Sequence, residues 1–244
     1  MLVRNINFKN FKSLKNRNKI KKEFKLLLKS NLRLFEHLKP NYQYSYNKKI
    51  IKELKKYKIM KIIGMGGSIL GTKAIYYYLK KKINKKIIFI DNLKVDQNLI
   101  KHHKSQLNLI ISKSGNTLET LSNVNIHVKK KHKNIFITER KKSFLTDLAK
   151  KLKSEIIEHK NFIGGRYSVL SEVGMLPSEL MRFNEQKFKQ FNNLIKNRNF
   201  INNLINDVTS TVRFVKTKKY TSVILNYDEK SDNLFKWYQQ LIAE

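Results

Sequence analysis

Ile62-Ile63-Gly64-Met65-Gly66-Gly67-Ser68-Ile69-Leu70-Gly71 is the stretch that decides the fold. It ends a short β-branched run at 60–63 and opens a segment that reads as helix. Glycines at such a junction let the backbone turn tightly and come close to a ligand, and the free N–H groups of a helix start attract an anion. In an open α/β sheet, ligands sit in the crevice at the carboxyl ends of the strands. A dinucleotide site fits less well, because the full G-x-G-x-x-G spacing is missing and Asp91 is the only acid at the next strand end. Taken alone, such a turn also occurs for purely structural reasons.

Outward from this turn, further β-branched runs stand at 87–91, 107–112, 135–138 and, more weakly, 155–158. Helix-like stretches lie between them near 68–82, 96–103, 116–131 and 143–153. Strand–helix alternation at this spacing predicts right-handed crossovers and a parallel sheet covered by helices on both faces, an α/β doubly wound fold. Ahead of it, 1–57 reads as a lysine-rich helical segment. Within that segment Phe24, Leu27, Leu28, Leu32 and Phe35 fall near helical spacing, and Pro40 and the tyrosine-rich stretch 42–46 interrupt it. Behind it, 175–216 is mostly helical, 221–226 reads as a further strand, and a helix follows from about 231. The domains expected are an N-terminal helical segment 1–57, a sheet domain 58–180, and a helical linker with the start of a second α/β domain at 181–244. The last helix carries Trp237, Tyr238 and Leu241 and stops at Glu244 with its apolar face still running, so the chain reads as incomplete.

Composition narrows the function classes. The 244 residues are 41% hydrophobic and contain no cysteine, which excludes a disulfide scaffold, a cysteine nucleophile and thiolate metal sites. The apolar runs are too short to cross a bilayer, and no signal-peptide pattern opens the chain, so a cytoplasmic protein without a membrane partner is expected. Lys+Arg 52 against Asp+Glu 18 leaves a formal net charge of +34. Such an excess attracts nucleic acid and anionic metabolites alike. The basic residues are spread along the chain and not gathered on one stripe, and no nucleic-acid module accompanies them. A Lys/Asn/Ile-rich chain is also what an AT-rich coding sequence produces, and no specific nucleic-acid partner is expected.

A second junction has its own chemistry: Ser112-Lys113-Ser114-Gly115-Asn116-Thr117-Leu118-Glu119-Thr120, after the run 107–111. Asn116 as N-cap with Glu119 three residues on forms a capping-box pattern. The hydroxyls of Ser112, Ser114, Thr117 and Thr120 lie ahead of and inside that first turn. Hydroxyls and free amides converging on a helix N-terminus make a phosphate cradle; an ordinary capped helix is the plain alternative. Two such turns in one sheet favour a phosphorylated ligand. The pairs His102 and His103, and His127 and His132, lack metal-ligand spacing and read as packed or solvated side chains.

These junctions, with 161–174 (Asn-Phe-Ile-Gly-Gly-Arg-Tyr-Ser-Val-Leu-Ser-Glu-Val-Gly) and 237–244 (Trp-Tyr-Gln-Gln-Leu-Ile-Ala-Glu), resemble the phosphoglucose isomerase family and its sugar isomerase domain. The four matches follow the family's order and cover about 58–244. The early ones are shared with other sugar-phosphate-binding domains; Gly-Gly-Arg-Tyr-Ser and Gln-Gln…Glu are more particular. The resemblance implies interconversion of glucose 6-phosphate and fructose 6-phosphate through a cis-enediolate, without metal or organic cofactor, by a homodimer. It implies Glu244 as catalytic base and Arg166 facing the enediolate oxygen. Gly67, Ser68, Ser112, Lys113, Ser114, Thr117, Thr120, Gly165 and Gln240 become substrate-binding residues. Glu172 departs from the family, standing where a small residue is usual, and Asn116 replaces a usual threonine. The family's later histidine, supplied by the partner subunit, and its C-terminal lysine have no counterpart here, so little turnover is expected of these 244 residues alone. A non-catalytic sugar-phosphate-binding module or a gene remnant is the alternative. A salt-sensitive nucleic-acid binder indifferent to hexose phosphates is another.

Overall fold

A computed structural model describes residues 16–93, 105–218 and 221–243. Its elements are α1 (Arg17–Lys29), α2 (Lys48–Leu54), β1 (Ile59–Ile63), α3 (Leu70–Leu79), β2 (Lys86–Ile90), β3 (Gln106–Ile111), α4 (Leu118–His127), β4 (Lys133–Thr138), α5 (Phe144–Lys151), β5 (Glu155–Glu158), α6 (Glu172–Leu180), α7 (Phe191–Ile195), α8 (Arg198–Lys216) and α9 (Asp232–Ala243). The five strands form one parallel sheet in the order β2-β1-β3-β4-β5. In register, Phe89, Ile62, Leu109, Ile135 and Glu155 lie side by side across it.

Strands covered on both faces lose the usual apolar/polar alternation and become continuous apolar runs. All six residues of β3 are buried, as are the last four of β1. On one face Met60, Ile62, Leu107, Leu109, Ile111 and Ile137 pack against Leu54 of α2, Ile75 of α3 and Val173, Leu176 and Leu180 of α6. On the other, Ile63, Ile90, Ile110 and Phe136 pack against Val124 of α4 and Leu145 and Ala149 of α5. Each of these side chains larger than alanine contributes on the order of 1.5–3 kcal/mol through burial. The second face is polar toward the amino ends of its strands, where Gln106 donates to Asn108 (2.7 Å) and Asn108 to Asn134 (2.7 Å).

The chain divides into two compact units. The sheet unit comprises 36–188 and 226–244. In the other, formed from 16–35 and 189–225 among the described residues, α1 meets α8. There Arg17 donates to Asn206 (2.7 Å) and Asn202 (3.2 Å), and Asn197 caps α8 by accepting from the Phe200 amide at 3.0 Å.

Two expectations change. The run 221–226 forms no strand: it has no ladder partner among the described residues, and Val223 and Leu225 are 72% and 74% exposed. β-propensity reflects packing on a pleated surface, and without a neighbouring strand it specifies nothing. The amphipathic stretch in the N-terminal segment is also not one helix, because α1 ends at Lys29 and a separate 3₁₀ turn covers Arg33–Leu38. The helix expected at 96–103 lies outside the described residues.

Glu172 is accommodated in a specific way. It is fully buried at the first position of α6, where its carboxylate accepts from the Tyr42 hydroxyl (3.0 and 3.1 Å) and the Ser45 amide (2.8 Å). Tyr46 donates to Glu179 about two turns further along (2.7 Å). The tyrosines that interrupt the N-terminal helix therefore form a strip tied to α6 by two carboxylates, with Tyr44 packed between Tyr42 and Tyr46.

Candidate active site

The strand order reverses direction between β1 and β3, and ligand crevices open at such switch points. The two junctions singled out from the sequence are the turns that leave these strands. After β1, Gly66 sits at φ 50°, in the left-handed region, and Gly67 abuts the backbone of Gly165 and Arg166. After β3, Ser112 and Thr117 hydroxyls lie 2.9 Å apart, and Ser112 Oγ also accepts from the Gly115 amide at 3.2 Å. Gly115, at φ 71°, leaves room for Ser143, whose Oγ would stand 2.2 Å from an added Cβ.

The expected capping box at Asn116 does not form. Helix α4 starts at Leu118, with Thr117 as N-cap and no side-chain cap bond. The Asn116 amide instead donates to Ser114 Oγ (3.2 Å), and its side-chain oxygen accepts from the Phe144 amide (3.0 Å), the first residue of α5. Asn116 thus links two helix starts, and the N-terminal amides of α4 keep no side-chain competitor for an anion.

Two further elements close the site. Gly165–Leu170 forms a 3₁₀ turn held by Ser168, whose hydroxyl donates to Gly165 O (2.7 Å) and Gly67 O (3.3 Å). From α9, the Trp237 indole donates to Arg166 O at 2.9 Å, so the aromatic face of the last helix covers the arginine turn.

These elements line a cavity of about 540 Å³ that opens to solvent. Of the residues expected at the site, Gly67, Ser68, Lys113, Ser114, Thr117, Gly165, Arg166 and Gln240 line it. Ser112 and Thr120 stand behind its wall at 2% and 1% exposure, Ser112 shaping the loop from within. Glu244 lies outside the described residues. Sequence reading passed over Glu139 and Lys141, which also line the cavity. Both follow the carboxyl end of β4, and the parallel topology was the signal that pointed there. Glu139 pairs with Lys141 at 2.5 Å and Lys113 at 3.8 Å, while the Lys113 ammonium donates to Asn161 O at 2.7 Å. Three cations (Lys113, Lys141, Arg166) and one anion (Glu139) give the lining a formal charge of +2, the complement of a phosphate monoester at about −1.5 to −2.

Behind the cavity, His159 is 1% exposed, with Nδ1 3.1 Å from Lys160 O. Burial lowers its pKa to about 4, so the ring is neutral at physiological pH.

The phosphoglucose isomerase family matches residues 45–244. A glucose-6-phosphate isomerase from Methanocaldococcus jannaschii is 36% identical over 82% of this chain and 53% of its own. One from Mycoplasmopsis pulmonis is 29% identical over 76% and 49%. The chain thus spans about half the length of the curated relatives it matches. Among solved structures, a hypothetical protein from Thermus thermophilus superposes with TM-score 0.71 at 20% identity, over 93% of this chain and 59% of that one. A glucose-6-phosphate isomerase from Chlamydia trachomatis gives 0.63 at 23%, over 79% and 41%. At these identities the superpositions speak for the fold. The extent of the family match carries the further step: the chain belongs to the phosphoglucose isomerase family.

Proposed function

We propose that this chain supplies the phosphate-gripping part of an isomerase that interconverts glucose 6-phosphate and fructose 6-phosphate, in glycolysis and gluconeogenesis, within a cytoplasmic homodimer. One observation carries the reading: Ser68, Ser114 and Thr117 share a cavity with Arg166 and Gln240. Hydroxyls and the amides at the start of α4 hold the phosphate, remote from the reacting carbons, so that its binding energy positions the other end of the sugar. Aldose–ketose isomerisation moves a proton between C2 and C1 through a cis-enediolate. Glu244 is the base that takes the proton from one carbon and returns it to the other. Arg166 faces the negative oxygen that develops; a fixed donor of this kind is worth on the order of 3 kcal/mol. Positioned proton transfer adds about 10²–10⁴-fold.

The test is calorimetric titration of the 244-residue chain with fructose 6-phosphate, with fructose as the phosphate-free control. Saturable binding of the phosphate ester alone is expected, weakened about tenfold or more by Ser114→Ala or Arg166→Ala. Equal heats from ester and free sugar would overturn the reading.

A further inference from the structure

A second cavity, of about 380 Å³, lies at the amino ends of β1 and β2, a strand's length from the crevice. Three helical segments finish there: α2 at Leu54, the turn after α3 at Lys82, and α6 at Leu180. Their free carbonyls carry about half a negative unit per helix, and some cations beside them are ordinary. The number present exceeds that need. Lys55, Lys56, Lys58, Lys82, Lys85 and Arg182 line the cavity, and among the described residues no carboxylate does. Six positive charges against about 1.5 negative units leave an excess of roughly four.

Elsewhere in this unit lysines have acid partners: Lys73 with Asp91, Lys133 with Glu53, Lys160 with Glu158. Around this cavity no ion pair forms among the described residues; Glu53 and Glu179, outside the lining, act on Lys56 and Lys55 only at longer range. Lys85 is held by the backbone beside the cavity. Its ammonium donates to Tyr57 O and Lys55 O, which leaves a third proton for a ligand. Burial, then the nearby Arg182 and Lys55, hold its pKa below the usual lysine range. The Arg182 guanidinium makes no hydrogen bond among the described residues. Its backbone stands at φ 71°, just past the end of α6, where glycine is the favoured residue. An arginine there strains the fold while placing five donors at the cavity.

We propose that this cavity binds an oligophosphate, a chain of two or three linked phosphates, either free or as the tail of a nucleotide. A single phosphate would neutralise too little of the excess. The cations ring a concavity and do not run in a stripe, which distinguishes the site from a polymer-binding surface. Leu180 and Met181 are buried behind the lining, and the half-buried Tyr57 ring is the apolar surface against which a base could lie. The proposal stands apart from the isomerase reading and does not depend on it.

Calorimetric titration of the 244-residue chain with sodium tripolyphosphate, ATP and orthophosphate tests it. Tripolyphosphate is expected to saturate one tight site, at least about tenfold stronger than orthophosphate, and to weaken steeply with added salt. Arg182→Gly suits the backbone, so it should raise the melting temperature while weakening tripolyphosphate about tenfold. The tight event should survive Ser114→Ala, which alters the crevice instead. Equal affinity for tripolyphosphate and ATP would support the phosphate chain as the ligand; tighter ATP would support a nucleotide. The proposal is overturned by unsaturable uptake of several ions per chain. It is equally overturned if folded Arg182→Gly and Lys85→Met both keep the affinity within about twofold of the parent.

Discussion

Gly67→Ala tests the site at its tightest point. A Cβ at position 67 would lie 2.2 Å from the Gly165 carbonyl carbon, 2.4 Å from its oxygen and 2.6 Å from the Arg166 nitrogen. Carbon atoms in contact sit about 3.5–4.0 Å apart, so the two turns must separate by more than 1 Å. Neither turn is free to move. Ser168 bonds both Gly67 O (3.3 Å) and Gly165 O (2.7 Å), Trp237 holds Arg166 O (2.9 Å), and His37 lies 2.9 Å from Tyr167 O. Overpacking costs about 1–3 kcal/mol, and the weaker Ser168 bond goes with the separation for about 1 more. The total, about 2–4 kcal/mol, should lower the melting temperature by roughly 5–15 °C for a chain of this size. Displacing Arg166 by about 1 Å should also cost up to about 10²-fold in any rate it supports. Gly165→Ala is the control, since its Cβ would meet nothing within 4 Å. It should leave stability within about 0.5 kcal/mol of the parent, although its methyl borders the cavity and should weaken hexose phosphate binding. Thermal melts of both variants, read with fructose 6-phosphate titrations, decide the matter. If Gly67→Ala melts with the parent, the close approach of the two turns is wrong, and with it the placement of Arg166.

Glu172→Ala would strand the Tyr42 hydroxyl and the Ser45 amide beside a vacated buried position, at a cost of about 3–4 kcal/mol. Tyr42→Phe should then cost much less in that background than in the parent, and denaturant melts of the double-mutant cycle measure the coupling. His159 governs an acid transition: its pKa is about 4 in the fold against 6.5 unperturbed, so the unfolded chain binds the extra proton between those values. Its contribution is complete above about pH 6.5 and is lost as pH falls toward 4, a change of about 3 kcal/mol. His159→Leu should flatten the stability profile across that window alone, and an unchanged slope would mean the parent ring is hydrated.

Much of the sheet was legible because its signal is redundant. The runs at 60–63, 87–91, 107–112 and 135–138 are each β-branched, each followed by a stretch whose sequence reads as helix, and each lies within a residue or two of an observed strand. Four-residue β5 is visible for the same reason, since the alternation predicts a strand where Glu155 and Glu158 obscure one. Asn116 shows where such reading stops. Its N-cap pattern is local, but the acceptor is taken by the Phe144 amide, 28 residues on, and no local pattern foretells a partner at that distance. The run 221–226 fails in the same way, its propensity being unmatched by a neighbouring strand. Glu139 and Lys141 carry no motif at all; they reach the cavity only because parallel topology gathers every strand's carboxyl end at one place.

The net charge of +34 makes the same point about electrostatics. From composition, the lysines are interchangeable and their total reads as a diffuse property of the chain. In the fold they separate into two regimes. At the crevice, Glu139 ties Lys113 and Lys141 together, which leaves a lining charge matched to one phosphate monoester. At the amino ends of β1 and β2, six cations share a cavity that no carboxylate among the described residues lines. A count of charges cannot tell these regimes apart, because the difference lies in where the few carboxylates are placed. If Arg182→Gly stabilises the protein and leaves tripolyphosphate binding untouched, the second regime is only the residue of a lysine-rich composition. If it stabilises the protein and weakens that binding, the strain at position 182 is kept for a ligand.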